Sequence, residues 1–506
     1  MPPYYDDVVY LLVSQLVIQA APHQSPLTTV YQIFDQHSPL TTLFGVVGYS
    51  LFDAGDLGPY VVGASHMLLF IFACALILRR LPAMAIIGII CAAGAIPALR
   101  NFATEFRPEP AWATLTALAA LAFFTSDIFA FRWKKQIGLG LLVGLAVISK
   151  PTTSPITLVV LGTAFLASGL VRYYEGRRAG AHPSLRSAIA GAAVIWAAAL
   201  VVIAPIGAII GRDIYEYIIW VTKDISHQVQ YRGDLADQVA FYSFGVGGQL
   251  MLGQALPICL AVWGLGVGYA ALRLRPVLPR IIAVLFVVLL SYAIPSASTV
   301  KLVWFGSAFD AILILSTVYL IALLYQPSSV SPSHLNVRVG ISVSVCIAGI
   351  GLLLMANLRE QPSGLLGMDA VARKDMTERT ARIWAVLKDR AELRRRSSPT
   401  GHISNVMTNA IEPIVGTVIS LYGVKSGLPI RGAEFPYVHS LDELLAHLPN
   451  MDYVVAGPSY EHFLSGARLG DALCEAMEAR PDFARIATIP LREGRGVARI
   501  YERKFP

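Results

Sequence analysis

The residues able to do chemistry in this chain lie in four separated stretches. The loop at 99–111, reading RNFATEFRPEPAW from Arg100, holds Arg100, Glu105, Arg107 and Glu109. Lys150 sits in VISKPTT, Lys301 in SASTVKLVW, and Asp6-Asp7 opens the chain. Arginine forks onto phosphate oxygens and lysine supplies a compact charge, so clustered cations suit a phosphate group. A carboxylate beside them can act as general base toward an incoming nucleophile. Taken singly, each has a plain structural alternative: Arg and Glu in one loop form surface ion pairs of little consequence, and Lys150 could snorkel to a membrane interface. What favours chemistry is that all four stretches fall on one side of a membrane, which follows from the elements that carry them.

The chain has 506 residues, 55% hydrophobic and only 14% charged. Soluble proteins run at about 25% charged, so a single soluble globule is excluded. Residues 357–506 carry 20 basic and 18 acidic side chains, whereas the far longer 1–356 carries 20 and 15. That contrast predicts a polytopic helical membrane domain over 1–356 and a soluble domain over 357–506. A bilayer core needs about 20 helical residues to cross. Ten stretches qualify or nearly so: 61–79, 83–98, 112–131, 137–149, 154–171, 187–211, 249–272, 279–295, 302–325 and 339–356.

Alternate loops between these spans collect Arg79-Arg80, Arg132 with Lys134 and Lys135, Arg172 with Arg177, Arg178 and Arg186, then Arg273, Arg275, Arg280 and Arg338. They hold most of the domain's cations and one acid, Glu175. Cytoplasmic loops concentrate Lys and Arg, so this set is cytoplasmic. The loops bearing Arg107, Glu109, Lys150 and Lys301, both termini and the soluble domain are then extracytoplasmic. The net charge of +7 serves orientation in this reading, not nucleic-acid binding. Residues 8–21 are too short to span and resemble an interfacial helix. Residues 1–60 carry no obvious export device, and we expect that a first transmembrane helix precedes Met1. The five cysteines form no disulfide framework.

The series Asp6-Asp7 with Tyr10, His37-Ser38-Pro39-Leu40, Arg107-Pro108-Glu109, and Gly140-Leu141-Leu142-Val143-Gly144-Leu145-Ala146 leading to Ser149-Lys150-Pro151 resembles the GT-C glycosyltransferases. Within these it is most similar to the protein mannosyltransferase and aminoarabinose-transferase branch, also termed glycosyltransferase family 39-like. The motifs cover about residues 1–170; beyond that the likeness is one of topology. Here the acidic pair is Asp-Asp where the family has Asp-Glu, HSPL stands for HPPL, and Glu109 stands where Asp is common. The family's acidic pair follows its first transmembrane helix, which accords with the expected upstream span.

The resemblance implies a mainly α, GT-C-like domain followed by a small extracytoplasmic α/β domain, in a multi-pass protein of a bacterial inner membrane. It implies transfer of a sugar, with inversion, from a polyprenyl-phosphate-linked donor to a glycan, lipid or protein acceptor. Asp6 would be the general base. Asp7 and Glu109 would orient acceptor or sugar, or help hold a divalent cation. Arg107 and Lys150 would stabilise the leaving phosphate, and Lys301 is a further phosphate candidate by position. His37 could contact the acceptor or cap the next helix. Asp310, inside a span, is either functional or satisfied by a neighbouring helix. A transporter or flippase for a lipid-linked sugar is the alternative, although its polar groups would gather nearer the bilayer midplane.

In loop 212–248, Tyr215, Glu216, Tyr217, Trp220, Lys223, Asp224, His227, Tyr231, Arg232 and Asp234 could cover a sugar or lipid or anchor the interface. Residues 377–396 have helical periodicity with a basic end. HISNVMTN, MDYVVAG, ARIATIPL and GVARIYERKF read as strands alternating with helical DELLAHL and GDALCEAMEAR, hence an α/β domain. His402, His439, His447 and His462 are dispersed, so no metal site is expected.

Overall fold

The computed structural model describes residues 6–52, 57–127, 129–130, 132–180, 184–220, 223, 233–298, 300–325, 335–358, 370–397, 403–409, 416–435, 438–459, 468–491 and 496–504. For Asp6, residues 335–338 and 370–377, and Ser397 it describes the backbone alone. The first helices are α1 (Asp6–Ala20), α2 (Pro26–Phe34), α3 (Pro39–Phe52), α4 (Leu57–Gly63), α5 (Ser65–Leu78), α6 (Ala83–Gly94), α7 (Pro97–Thr104), α8 (Pro108–Thr125) and α9 (Trp133–Ser149). There follow α10 (Ser154–Arg178), α11 (Leu185–Ile219), α12 (Leu235–Ala240), α13 (Val246–Met251), α14 (Ala255–Arg273), α15 (Leu278–Ala297), α16 (Ser307–Leu324) and α17 (Leu335–Leu358). The chain forms two compact units, one of residues 30–44 and 60–365, the other of residues 1–29, 45–59 and 366–506.

Among the described residues, seven helices are long and apolar enough to cross a membrane: Leu57–Leu78, Pro151–Arg178, Leu185–Ile219, Ala255–Arg273, Leu278–Ala297, Val303–Leu324 and Val339–Leu358. An eighth candidate is α6 with α7, bent by 74°. The break falls before Pro97, which starts α7, because proline disfavours helical backbone at the residue preceding it. The ten spans expected from sequence thus become eight candidates among the described residues. The other two, 112–131 and 137–149, are helical as α8 and α9 but fall short in length or apolarity. For α8 the reason is position: nearly all of it is buried, including Glu109, Thr114 and Thr116, so other helices and not lipid surround it.

The centre of the unit is α8 packed on α16, the two most enclosed helices. Helices α5, α9 and α10 flank α8, while α5, α14 and α15 flank α16. Buried indoles need partners for their N–H: Trp112 donates to Thr157 Oγ1 at 2.7 Å and Trp263 to Thr317 Oγ1 at 3.1 Å. Two close crossings depend on glycine. On α9, a Cβ at Gly140 would lie 2.2 Å from the Ile195 carbonyl oxygen of α11, and one at Gly144 would lie 2.7 Å from Val202. Between α6 and α17, a Cβ on Gly88 would lie 2.4 Å from the Val345 carbonyl oxygen, and one on Gly349 would lie 2.0 Å from that of Gly88. Small residues four apart let helix backbones approach where apolar burial supplies little drive.

The second unit combines α1 with α18 (Ala370–Ser397), α19 (Gly416–Lys425), α20 (Leu441–Leu445), α21 (Gly470–Glu478) and five strands. These are β1 (Ser404–Thr408), β2 (Ile430–Glu434), β3 (Tyr453–Ala456), β4 (Phe483–Pro490) and β5 (Val497–Arg503), in sheet order β2-β1-β3-β5-β4. The first three run parallel, and β5 and β4 are antiparallel. Four strands and three helices fall where sequence placed them. The strand β2 and helix α19 were not foreseen. β2 is a short edge strand, IRGAE, whose Gly432 could hold no side chain, because a Cβ there would lie 1.9 Å from the Gly416 carbonyl oxygen. The helix expected to lie at an interface, α1, packs instead on α19 and buries Val8, Leu11 and Val17. All five cysteines are free.

Candidate active site

Local sequence decides where each cation of the site stands. Arg107 precedes Pro108, and Lys150 precedes Pro151; a residue before proline is pushed out of helical backbone. Arg107 accordingly forms the N-cap of α8 with φ −130° and ψ 164°, and Lys150 ends α9 with φ −144° and ψ 82°. Glu109 occupies the first turn of α8, where the helix dipole favours a negative charge. Since α8 and α9 are sequential and packed side by side, the start of one and the end of the other meet at one end of the bundle.

There Lys150 Nζ donates to Glu109 Oε1 at 2.6 Å, and both side chains are under 10% exposed. Arg107 is also buried and lies near enough to Glu109 for their charges to interact. Aromatic rings wall the cations. The Lys150 ammonium is 5.0 Å from the Phe305 ring and 5.6 Å from Trp112, and the Arg107 guanidinium is 4.9 Å from Trp304. Desolvated cation–π contacts of this kind each contribute about 2 kcal/mol. The second oxygen of Glu109, Oε2, is buried and makes no hydrogen bond among the described residues. Three backbone anchors fix the Lys150 corner: Thr153 Oγ1 donates to the Lys150 carbonyl at 2.9 Å, Thr157 Oγ1 to that of Thr153 at 3.1 Å, and Ser38 Oγ to that of Ser149 at 2.8 Å.

Lys301 precedes the 3₁₀ turn Val303–Gly306 that carries Trp304 and Phe305. Its ammonium donates to the carbonyls of Pro295 at 2.9 Å and Ser296 at 2.6 Å, completing the end of α15, and lies 5.4 Å from the Tyr242 ring. Burial pushes the Lys301 ammonium below its ordinary value. Asp310, in the first turn of α16, is buried with Oδ2 lacking a hydrogen bond among the described residues.

The structure therefore gathers Glu109 and Lys150 in an ion pair, with Arg107 near enough for its charge to act on Glu109 and Lys301 just before the turn that carries Trp304 and Phe305. His37 lies apart from them in the observed contacts, its ring 5.5 Å from that of Tyr217. The capping alternative belongs to its neighbour: Ser38 Oγ bonds Thr41 Oγ1 at 2.8 Å at the start of α3. Asp7 is buried in α1, which belongs to the second unit; Asp6 begins the same helix, and its side chain lies outside what the structure describes. In the 212–248 stretch, Tyr217 packs on Trp220 and Asp234 caps α12 by accepting from Asp237 N at 2.8 Å. Asp224, His227, Tyr231 and Arg232 lie outside the described residues. Among the described residues no group of three or more His, Cys, Asp or Glu could hold a metal ion.

Sequence reasoning missed the aromatic wall. Trp112 sits three residues after Glu109, on the same face of α8, and Trp304-Phe305 follow Lys301 almost directly. Both signals were present, but only the packing of α8 on α16 joins them.

A membrane helical unit with its polar cluster at one bundle end, together with a small α/β unit, constitutes a GT-C fold. In particular, the chain is similar to ArnT from Cupriavidus metallidurans. The structure of that protein bound to undecaprenyl phosphate matches with a TM-score of 0.57 and 16% identity, over 98% of this chain and 94% of that one. Its apo structure matches with a TM-score of 0.57 and 14% identity, over 98% and 93%. No family model and no curated protein matches the sequence.

Proposed function

We propose that this chain is an inverting membrane glycosyltransferase that moves a sugar from a polyprenyl-phosphate carrier to an acceptor outside the cytoplasm. The observation that carries this reading is the buried Lys150–Glu109 pair beside Arg107, ringed by Trp112, Trp304 and Phe305. Burying two cations and one carboxylate is costly unless a further anion shares the site. A lipid phosphate at headgroup depth is such an anion, and undecaprenyl phosphate is what the similar ArnT structure holds.

In this reaction the acceptor hydroxyl oxygen attacks the anomeric carbon from the face opposite the phosphate. Asp6 takes the hydroxyl proton as the new bond forms. The carbon–oxygen bond to the phosphate breaks, and its electron pair stays on the departing lipid phosphate. A single displacement inverts the anomeric centre. Arg107 and Lys150 stabilise the charge that grows on the leaving oxygen, an interaction stronger in the transition state than before it. Glu109 holds Lys150 in place, and its Oε2 can accept from a sugar hydroxyl; Asp7 orients the acceptor. Lys301, whose ammonium donates to two carbonyls among the described residues, offers its remaining N–H to a phosphate oxygen. In this reading the helical unit of residues 30–44 and 60–365 is the membrane-embedded part of an inner-membrane protein, and the α/β unit, which also takes in residues 1–29 and 45–59, is extracytoplasmic and contributes to acceptor recognition.

Turnover of a lipid-linked sugar by membranes containing wild type, Asp6→Asn or Glu109→Gln tests the assignment. Loss of transfer in both variants at equal protein level is expected; retained turnover in both would overturn it. Truncation of residues 360–506 with unchanged transfer to the natural acceptor would remove the role given to the second domain.

A further inference from the structure

At the opposite end of the helical bundle, α10, α14 and α15 leave a groove of about 720 Å³. Its end is fixed by chain direction: the start of α10 and the finish of α15 stand near Lys150 and Lys301, so Arg178 and Leu278 lie at the far end. Along its length the groove is apolar, lined by Ala167, Leu170 and Val171 of α10 and by Leu278, Ile282 and Phe286 of α15. At 1.5 Å per residue, the lining runs roughly 16 Å along α10, from Ala167 to Arg178, and roughly 12 Å along α15, from Leu278 to Phe286. At its mouth stand Tyr174, Arg178 and Arg275.

The charge there is lopsided. Glu175, the acid nearest in sequence, is committed to Arg172 and Arg280. Neither Arg178 nor Arg275 takes part in an ion pair among the described residues. A groove two to three turns long that is greasy inside and doubly cationic at its rim complements one kind of molecule, an amphiphile with a hydrocarbon tail and an anionic head. Basic pockets between transmembrane helices on the cytoplasmic side recognise phospholipid head groups by this combination.

We propose that this groove is a specific binding site for an anionic glycerophospholipid of the leaflet on the arginine-rich side. One acyl chain lies against Leu170, Ile282 and Phe286, and the phosphate lies between Arg178 and Arg275. The site is separate from the Glu109–Lys150 centre, so it stands whether or not the glycosyltransferase reading holds.

The test uses the purified full-length protein in neutral detergent, titrated with phosphatidylglycerol or with zwitterionic phosphatidylcholine of the same acyl chains. Binding is read by native mass spectrometry and by the shift in unfolding temperature. Wild type should retain phosphatidylglycerol and gain thermal stability from it, with little response to phosphatidylcholine. In the double variant Arg178→Gln/Arg275→Gln, affinity for phosphatidylglycerol should fall roughly tenfold or more. Phe286→Trp, which fills the groove without touching the charge, should weaken phosphatidylglycerol binding as well. Both arginines are exposed, so the unliganded variant should unfold at the wild-type temperature. Equal response to the two lipids, or undiminished phosphatidylglycerol binding in the double variant, would overturn the proposal.

Discussion

At the scale of single residues, the decisive contact is Lys150 with Glu109. Removing one partner of a buried pair leaves an uncompensated charge and costs about 3–5 kcal/mol. Lys150→Met should therefore lower both thermal stability and turnover, the latter by about 10²–10³ if Lys150 meets developing phosphate charge. The double variant Lys150→Met/Glu109→Gln should recover much of the stability and none of the activity. That split, read by unfolding temperature against turnover rate, separates a structural pair from a catalytic one. Arg107→Lys keeps the charge but loses the planar fork and its stacking on Trp304; because such exchanges are not conservative at stacked sites, a loss of at least about tenfold in turnover is expected. Both cations were legible in sequence, as charges in separate stretches that fall on one side of the membrane. Their aromatic neighbours were not, because Trp304 and Phe305 lie far from Arg107 and Lys150 along the chain.

At the scale of elements, the glycines of α9 explain why a motif on one helix matters to a site at its end. Gly140 and Gly144 let α9 lie against α11, and α9 carries Lys150 at its last turn. Gly140→Val would drive its side chain into the Ile195 carbonyl, a strain of about 1–3 kcal/mol or more. The expected result is a lower unfolding temperature together with reduced turnover, since the Lys150 corner shifts with the helix. Gly138→Ala is the control, because open space surrounds a Cβ there, and wild-type behaviour is expected of it. The sequence showed α9 as apolar and glycine-rich; which helix those glycines meet depends on packing. The same holds for β2, whose polar, glycine-containing five residues carry too weak a strand pattern to be seen without the partner β1.

For the molecule as a whole, the distribution of charge sets orientation. Arg172, Glu175 and Arg280 knit α10 and α15 at one end, while Arg107, Glu109, Lys150 and Lys301 occupy the other. If the arginine-rich end is cytoplasmic, a cysteine at the exposed Thr104 should react with a membrane-impermeant maleimide in intact cells. One replacing exposed Arg178 should react only after permeabilisation. The natural cysteines are removed first, to clear the background. The reverse pattern would invert the topology and with it the placement of the proposed reaction.

Composition determined that this chain is a membrane protein with a more highly charged C-terminal part, because hydrocarbon tolerates only long apolar helices and water demands charge, and the alternation of strand and helix patterns made that part α/β. Proline spacing determined that Arg107 and Lys150 stand at helix ends, since that constraint acts on neighbouring residues. The tertiary structure decided the rest. The enclosure of α8 makes Glu109 and Lys150 a buried pair in place of two surface charges, and the turn before α16 brings aromatic rings against cations some 150–200 residues away. Contacts over such separations depend on how helices pack in three dimensions, which no local pattern along the chain encodes.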